Sequence, residues 1–389
     1  MKKLKVIVVL YEPPYPFGRA PSRWYYVLLR ELARDGHKVV CFCAYENKKE
    51  VEEARKFFPE GLVDLRFFPF PERKRNIFQK VKSILVPSKY YFSDNFINEY
   101  EREIKKGYDI LHIEPNWAGY LGLEYKRSIV SIHYLMSIDM ENSLPKDLKE
   151  RIIKHQMLRR ERKLLSRYKN IRVLTERLKR KVSEINPSAN IFTLPLAVDH
   201  TLYPMSPFQD NNKIFGMIGS ILWSPGYSAA MTLLKDIFPR VKQRVKEAKL
   251  LIAGWGAEEK LSQFKGNDII IKGNVESPEE FFSKASVLVY CPSRGSGMKV
   301  KVMESMLYGI PVVTNSEGIE GLEVENGRHC FFSGNLDCLV DNIVDLINDD
   351  NLKKKLREEA RSLIEKRYSP EAIMPEVYKI YKNIIEMNT

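Results

Sequence analysis

Residues 295–322 read GSGMKVKVMESMLYGIPVVTNSEGIEGL, and their order decides the fold. Gly295 and Gly297 make a turn that allows close backbone approach, residues from about 300 to 308 form a short helix, and 310–316 form an apolar strand. A loop that opens a helix and runs on into a buried strand is the repeating piece of a wound parallel sheet. The free N–H groups at such a helix start suit an anion, most simply a diphosphate, and Lys299 and Lys301 add positive charge there. Glu304 stands one turn further along a helix whose Val300, Met303 and Leu307 face inward. A carboxylate there accepts two hydroxyl hydrogens at once, as a ribose or sugar diol offers them. Phosphates beside a diol describe a nucleotide. The competing reading turns Glu304 toward solvent.

Outward from this stretch the same alternation repeats. In the second half, strand candidates fall at 213–220, 248–256, 268–275, 285–293 and 310–316, separated by helical spans. In the first half they fall at 4–11, 38–44, 108–114, 128–134 and 170–175, with helices at 22–37 and from about 146 to 168. Ser22 reads as an N-cap and Gly36 as a C-cap. Between the two series lies LPLAVDHTLYPMSPFQDNN (194–212), with three prolines and few apolar repeats. The fold class is therefore α/β: two doubly wound, Rossmann-like parallel-sheet domains, expected to face each other across a cleft with ligands at the strands' carboxyl ends. The expected division is 1–204, 205–368, and a terminal helix at 369–389 crossing back to the first domain.

Composition narrows the setting. The 389 residues exceed one ordinary core, and 44% apolar with 29% charged residues is the balance of a soluble globular chain. Residues 4–11 are too short for a signal peptide or a span, and no run of eighteen uncharged apolar residues occurs, so a cytoplasmic protein is expected. Cys41, Cys43, Cys291, Cys330 and Cys338 are odd in number, lack zinc-site spacing, and read as reduced and structural. The net charge is +13, and residues 144–185 carry 15 Lys or Arg against 5 Asp or Glu. A second basic stretch, 71–92, interleaves Phe78, Ile84, Leu85, Tyr90, Tyr91 and Phe92 with its cations. Both suit peripheral contact with an anionic membrane at the inner face; a solvated helix face is the plain alternative. No P-loop, helix-turn-helix or RNA-binding aromatic motif is present, so nucleic acid is excluded as a partner.

The unit GSGMKVKVMESMLYGIPVVTNSEGIEGL resembles the donor-binding segment of GT-B fold glycosyltransferases of the retaining, nucleotide-sugar-dependent family 4 type. The likeness extends to IGSILWSP (218–225), LLIAGWG, EFFSKASVLVYCPS (280–293), PPYPFGRAPSRWYYVLLRELARDGHKV, LPLAVD and the tail RYSPEAIMPEVYKIYKNII. In that family two glutamates separated by seven residues frame the donor. Glu304 matches the second, which holds the ribose; the first, which touches the transferred sugar, falls on Ser296. The family's Arg and Lys at the start of the second domain are missing from Gly219-Ser-Ile-Leu-Trp-Ser-Pro, and Lys299, in the "G-x-G-[MI]-K" arrangement of one subgroup, looks like their substitute.

The resemblance implies a donor site of Gly219, Ser296, Gly297, Met298, Lys299, Lys301 and Glu304. It implies catalytic roles for Lys299, for His133 at the end of the strand SIVSIHY, and for Arg23 in an acceptor-side loop with Gly18 and Arg19, where Arg19 competes with Arg23. His112 and Glu114, closing the strand DILHIE, are weaker candidates, and His37 reads as structural. It further implies transfer with retention to the hydroxyl of a sugar or lipid-linked sugar, in cell-surface polysaccharide or glycolipid synthesis. The leaving diphosphate would be stabilised by preorganised charge. With no Asp-x-Asp triplet, neither a metal nor another cofactor is expected. A nucleotide-sugar epimerase of the same fold and a catalytically silent partner subunit are the rival readings.

Overall fold

The computed structural model describes residues 2–71, 92–141, 145, 147–275 and 277–388, and the chain forms two compact units. The first comprises Met1–His133, Pro145–Val198 and Pro370–Thr389; the second comprises Tyr134–Leu144 and Asp199–Ser369.

Seven strands build the first unit: β1 (Lys5–Leu10), β2 (Lys38–Tyr45), β3 (Asp64–Pro69), β4 (Ile110–Glu114), β5 (Ser128–Ile132), β6 (Asn170–Val173) and β7 (Asn190–Thr193). All pair in parallel, in the order β3-β2-β1-β4-β5-β6-β7. β4 and β5 are buried on every residue, and β1 on all but its first, because a parallel sheet is covered on both faces. β3 and β7, which hydropathy does not announce, are the two edges, where a strand needs less apolar cover.

Helix α1 (Ala20–Arg34) starts earlier than the sequence suggests, with Arg19 as N-cap and Pro21 in its first turn. Proline's fixed φ favours that early start. Ser22 is instead spent on the preceding loop: its hydroxyl donates to the Pro13 carbonyl and accepts from the Tyr15 N–H at 3.0 Å. Gly36 closes the helix with φ +82°, as expected of a left-handed C-terminal position. Helix α2 (Leu148–Leu165) follows β5 and the segment assigned to the second unit. Of the aromatic basic stretch at 71–92, residues 72–91 lie outside the described residues. Phe92, expected at a membrane surface, is instead buried and stacked on Phe96 with ring centroids 4.3 Å apart.

The second unit holds β8 (Ile214–Ile218), β9 (Lys249–Ala253), β10 (Ile269–Lys272), β11 (Val287–Tyr290), β12 (Val312–Thr314) and β13 (Phe331–Phe332), parallel throughout in the order β10-β9-β8-β11-β12-β13. Helix α3 (Val300–Leu307) joins β11 to β12, and α4 (Asp350–Arg367) follows later. The division falls between Val198 and Asp199 rather than at 204/205. Arginines of α4 explain why the linker goes with this unit: Arg361 donates to the Tyr203 carbonyl at 2.8 Å and Arg357 to that of Ser206 at 2.6 Å. The terminal helix α5 (Pro370–Glu386) belongs to the first unit.

Each sheet reverses its winding beside its first strand. β1 lies between β2 and β4, and β8 between β9 and β11, so the carboxyl ends of β1/β4 and of β8/β11 are the places where a doubly wound sheet offers a binding crevice.

Candidate functional site

In the second unit the residues after β8, β9 and β11 converge on the start of α3. Gly219, directly after β8, has φ +146°, and a Cβ there would stand 2.2 Å from Lys301 Nζ. Gly254, after β9, approaches just as closely: its Cβ would lie 2.1 Å from the Gly219 carbonyl oxygen. Gly254 meets backbone and leaves no room for a Cβ, and at Gly219 it is the positive φ that calls for glycine. Lys301 Nζ sits 4.1 Å from the centroid of Tyr290, the last residue of β11, a cation–π distance. The turn after β8 lacks a base of its own, and Lys301 brings one to it. Pro225, further along that turn, packs 3.3 Å from where Gly295 would carry a Cβ.

Lys299 is the N-cap of α3 and is buried. Its ammonium donates to the Gly297 carbonyl at 2.5 Å and stands 3.9 Å from Glu320. Gly297 has φ +74°, which lets the loop fold back on that ammonium. Met298 and Glu304 are buried too, Glu304 at 3% exposure, so the solvent-facing alternative for this carboxylate is overturned.

Ser296 is held by a residue that sequence reading overlooked. Asp139, in the short helical turn Met136–Asp139, accepts both the Ser296 N–H and its hydroxyl at 2.6 Å, while the Ser296 Oγ accepts the Leu135 N–H at 2.9 Å. The position that lacks a glutamate therefore has a buried carboxylate bonded to it, brought from 157 residues away. No local pattern could signal such a pairing.

In the first unit the ends of β4, β5 and β6 carry a buried polar cluster. Glu114, fully buried, closes β4 opposite Leu10 of β1. Its Oε1 accepts from Trp24 Nε1 at 2.8 Å, His112 Nε2 at 3.0 Å and Arg172 Nη1 at 3.3 Å; its Oε2 accepts from His133 Nε2 at 2.5 Å. Tyr381 of α5 bonds His112 Nδ1 at 2.5 Å, and Ser131 lies within 3.0 Å of His112 Nε2. Arg172, register partner of Ser131, lies 4.2 Å from the Trp24 ring centroid and donates to the Pro195 carbonyl at 2.7 Å. One member of the basic stretch 144–185 is thus an internal cation.

Burial opposes the charge on Glu114, but the His133 ring and the hydrogen bonds from both histidines outweigh it and hold the carboxyl well below its usual range. Burial lowers His112 against the pull of Glu114, and it lowers Arg172 to about 10, still a cation at neutral pH. Glu114 and His112, weak candidates on sequence, are central here; Trp24 and Tyr381 read locally as core aromatics and Arg172 as one more cation of the 144–185 stretch, so none of the three signals its partners.

The loop between β1 and α1 is arranged differently. Arg23 Nε donates to the Gly18 carbonyl at 2.8 Å, joining two expected residues. Arg19 faces Glu12 at 3.5 Å and Glu50 at 3.7 Å. Glu12 Oε1 accepts the Ser22 N–H at 3.1 Å in the first turn of α1; burial raises its carboxyl to about 7, with Arg19 opposing and Glu50 adding to the rise. His37 is structural, accepting the Leu4 N–H at 3.0 Å. Cys41, Cys43, Cys291 and Cys330 are buried free thiols; Cys338 is exposed.

Residues 22–202 match the family model Glycosyltransferase Family 4, and residues 212–349 match that of Glycosyl transferases group 1. Among curated proteins, the phosphatidyl-myo-inositol mannosyltransferase of Mycobacterium leprae is 25% identical over 161 residues, 40% of this chain and 43% of that protein. The capsular polysaccharide biosynthesis glycosyltransferase CapM of Staphylococcus aureus is 21% identical over 185 residues, 46% of this chain and 48% of that protein. The matches thus span less than half the length of both relatives. Among solved structures, Anabaena HepE in complex with UDP superposes with a TM-score of 0.67 at 14% identity, over 97% of this chain and 100% of that one.

Proposed function

Because the chain belongs to the GT-B glycosyltransferases of the family 4 type, we propose that it transfers a sugar, with retention, from a nucleoside-diphosphate sugar to a hydroxyl of a sugar or lipid-linked acceptor in polysaccharide or glycolipid synthesis. One observation carries this reading: Lys299, Lys301 and a buried Glu304 gather at the start of α3, beside the carboxyl ends of β8 and β11. A diphosphate takes the α3 N–H groups and the lysines, and the ribose diol takes Glu304. UDP is the favoured nucleotide, since HepE was crystallised with it.

The chemistry follows from charge. As the glycosidic bond to the diphosphate lengthens, negative charge grows on the leaving oxygens, and a fixed pair of ammonium groups stabilises it without a divalent cation. His133, at the end of β5, meets a sugar hydroxyl. Calorimetry with UDP, GDP, ADP and dTDP and their common sugars tests the donor. Tight binding of one of them, abolished in Glu304→Ala, is the expected result; no binding of any to the folded protein sinks the reading.

An anionic membrane surface is the proposed setting. In α2, Leu148, Ile152 and Ile153 are 71%, 49% and 45% exposed beside the exposed Lys149 and Arg151, so the first turns of the helix offer apolar and cationic side chains to the surface together. Among the described residues no helix is long and apolar enough to cross a membrane. Co-sedimentation with vesicles containing phosphatidylglycerol at low salt is expected, and is expected to be lost when Leu148, Ile152 and Ile153 are changed together to Ser. Wild-type protein left in the supernatant would end the membrane part.

A further inference from the structure

The division of labour on Glu114 has a consequence for His133. Among the described residues three donors, from Trp24, His112 and Arg172, converge on Oε1, whereas Oε2 receives His133 alone. Tyr381 is pushed far above the ordinary phenol range by burial and stays protonated, so its hydroxyl donates to His112 Nδ1 and His112 in turn donates from Nε2 to Glu114. Nothing in this chain of bonds can lend Glu114 a proton to share with His133. The carboxylate is an acceptor on both oxygens, and the Arg172 guanidinium already balances its charge.

We infer that Glu114 is a positioning residue that fixes the tautomer of His133: Oε2 claims the Nε2–H, so that whenever the ring is neutral it is Nδ1 that stands as a hydrogen-bond acceptor at the carboxyl end of β5. Among the described residues Nδ1 has no hydrogen-bond partner, and the ring is braced by Tyr25 with centroids 6.1 Å apart. The group this arrangement recognises is a hydroxyl that donates, not a carbonyl or phosphate oxygen. That a sugar supplies the hydroxyl rests on the function proposed above; the tautomer does not.

Glu114→Gln makes the inference sharp. The three donors on the Oε1 side hold the amide oxygen there, which turns the amide NH₂ toward His133. The ring must then accept at Nε2 and carry its proton on Nδ1, so the tautomer inverts while the side chain keeps its size. A comparable loss of tautomer control in a hydrolytic triad costs about 10⁴ in turnover with geometry intact.

The experiment uses the full chain labelled with ¹⁵N-histidine, with the His133 ring nitrogens assigned by their disappearance in His133→Gln and read in alkaline buffer. Wild-type protein is expected to show Nε2–H and an unprotonated Nδ1; Nδ1–H in the wild type overturns the inference without any variant. Glu114→Gln is expected to show the inverted tautomer, with turnover of UDP-glucose, or of whichever screened donor calorimetry selects, reduced about 10²- to 10⁴-fold and its KM changed less than about threefold. An unchanged tautomer in Glu114→Gln also overturns it. An inverted tautomer with full turnover upholds the positioning role and removes His133 from the proposed function, so the two failures are told apart.

Discussion

The two units prepare their strand ends in opposite ways. In the first, side chains partner one another: a carboxylate, two imidazoles, a guanidinium, an indole and a phenol form a connected, buried set on β4, β5, β6, α1 and α5 that centres on Glu114. In the second, backbone does the shaping: Gly219, Gly254 and Gly297 adopt positive φ, and Lys299 is held by the carbonyl of its own loop. A network of mutual partners is rigid before any ligand arrives, whereas an ammonium on a backbone carbonyl can exchange that partner for a phosphate. The first device suits orientation of a proton, the second capture of an anion.

The largest break in this comparison is expected from Glu114→Ala. Removing the acceptor leaves Arg172 as an uncompensated buried cation and strands three more donors, a loss of about 3–5 kcal/mol in urea unfolding. A loss under 1 kcal/mol would mean that Glu114 does not hold the cluster together. Its pH dependence has a defined sign. His112 is held below its ordinary 6.5, so the unfolded chain binds the extra proton first, and stability declines as pH falls below about 6.5. Glu114 is held below its ordinary 4.5, so its contribution is present above 4.5 and is lost as pH falls further. Unfolding midpoints followed from pH 8 to pH 3 are expected to drop in those two windows.

In the second unit the effect moves from stability to binding. Lys299→Ala is expected to weaken UDP binding about 10- to 100-fold, the worth of a charge-assisted hydrogen bond, while costing the fold only about 1 kcal/mol. A variant that unfolded as readily as Glu114→Ala would show that the lysine is a structural member like Arg172, and the contrast between the units would fail.

How far this was legible in the sequence follows the same line. Backbone devices leave local signatures: G-x-G before a helix, apolar runs for β1, β8 and β11, and a glycine ending α1 can all be read in place. Networks of side chains leave none. Glu114 and His112 sit two residues apart and drew attention, but Arg172 and Tyr381 are 58 and 269 residues from their partners in the cluster, and their meeting depends on strand order and on where the tail packs. Ser22 and Phe92 depart from their local signatures for a related reason. A good capping residue and an amphipathic aromatic each found a longer-range partner that outweighed local preference.

Asp139 offers an intermediate case, a side chain serving a backbone loop. Asp139→Ala removes the acceptor of the Ser296 N–H and hydroxyl and is expected to cost about 2 kcal/mol, whereas Asp139→Asn keeps the Oδ1 acceptor and is expected to cost about half of that. Both should weaken UDP binding in proportion to the stability lost if the bond orders the loop ahead of Lys299. Equal losses in the two variants would show that the negative charge, rather than the acceptor, is what the loop needs.

The smallest expected effect is a gain. Glu12 caps the first turn of α1 from a site that is 17% exposed, and its carboxyl is raised to about 7 chiefly by burial. Between pH 4.5 and 7 the folded chain therefore binds more protons than the unfolded one, so stability falls as pH rises through that interval and the full cost is present above 7. Glu12→Gln keeps an oxygen for the Ser22 N–H, removes the ionisation, and gives up only the pairing with a half-exposed Arg19, which is worth little. The variant should match the wild type at pH 4.5 and exceed it by about 1 kcal/mol at pH 8. A gain of the same size at both pH values would trace it to packing and not to a buried charge, and would place this loop with the backbone-shaped sites of the second unit instead of the charged network of the first.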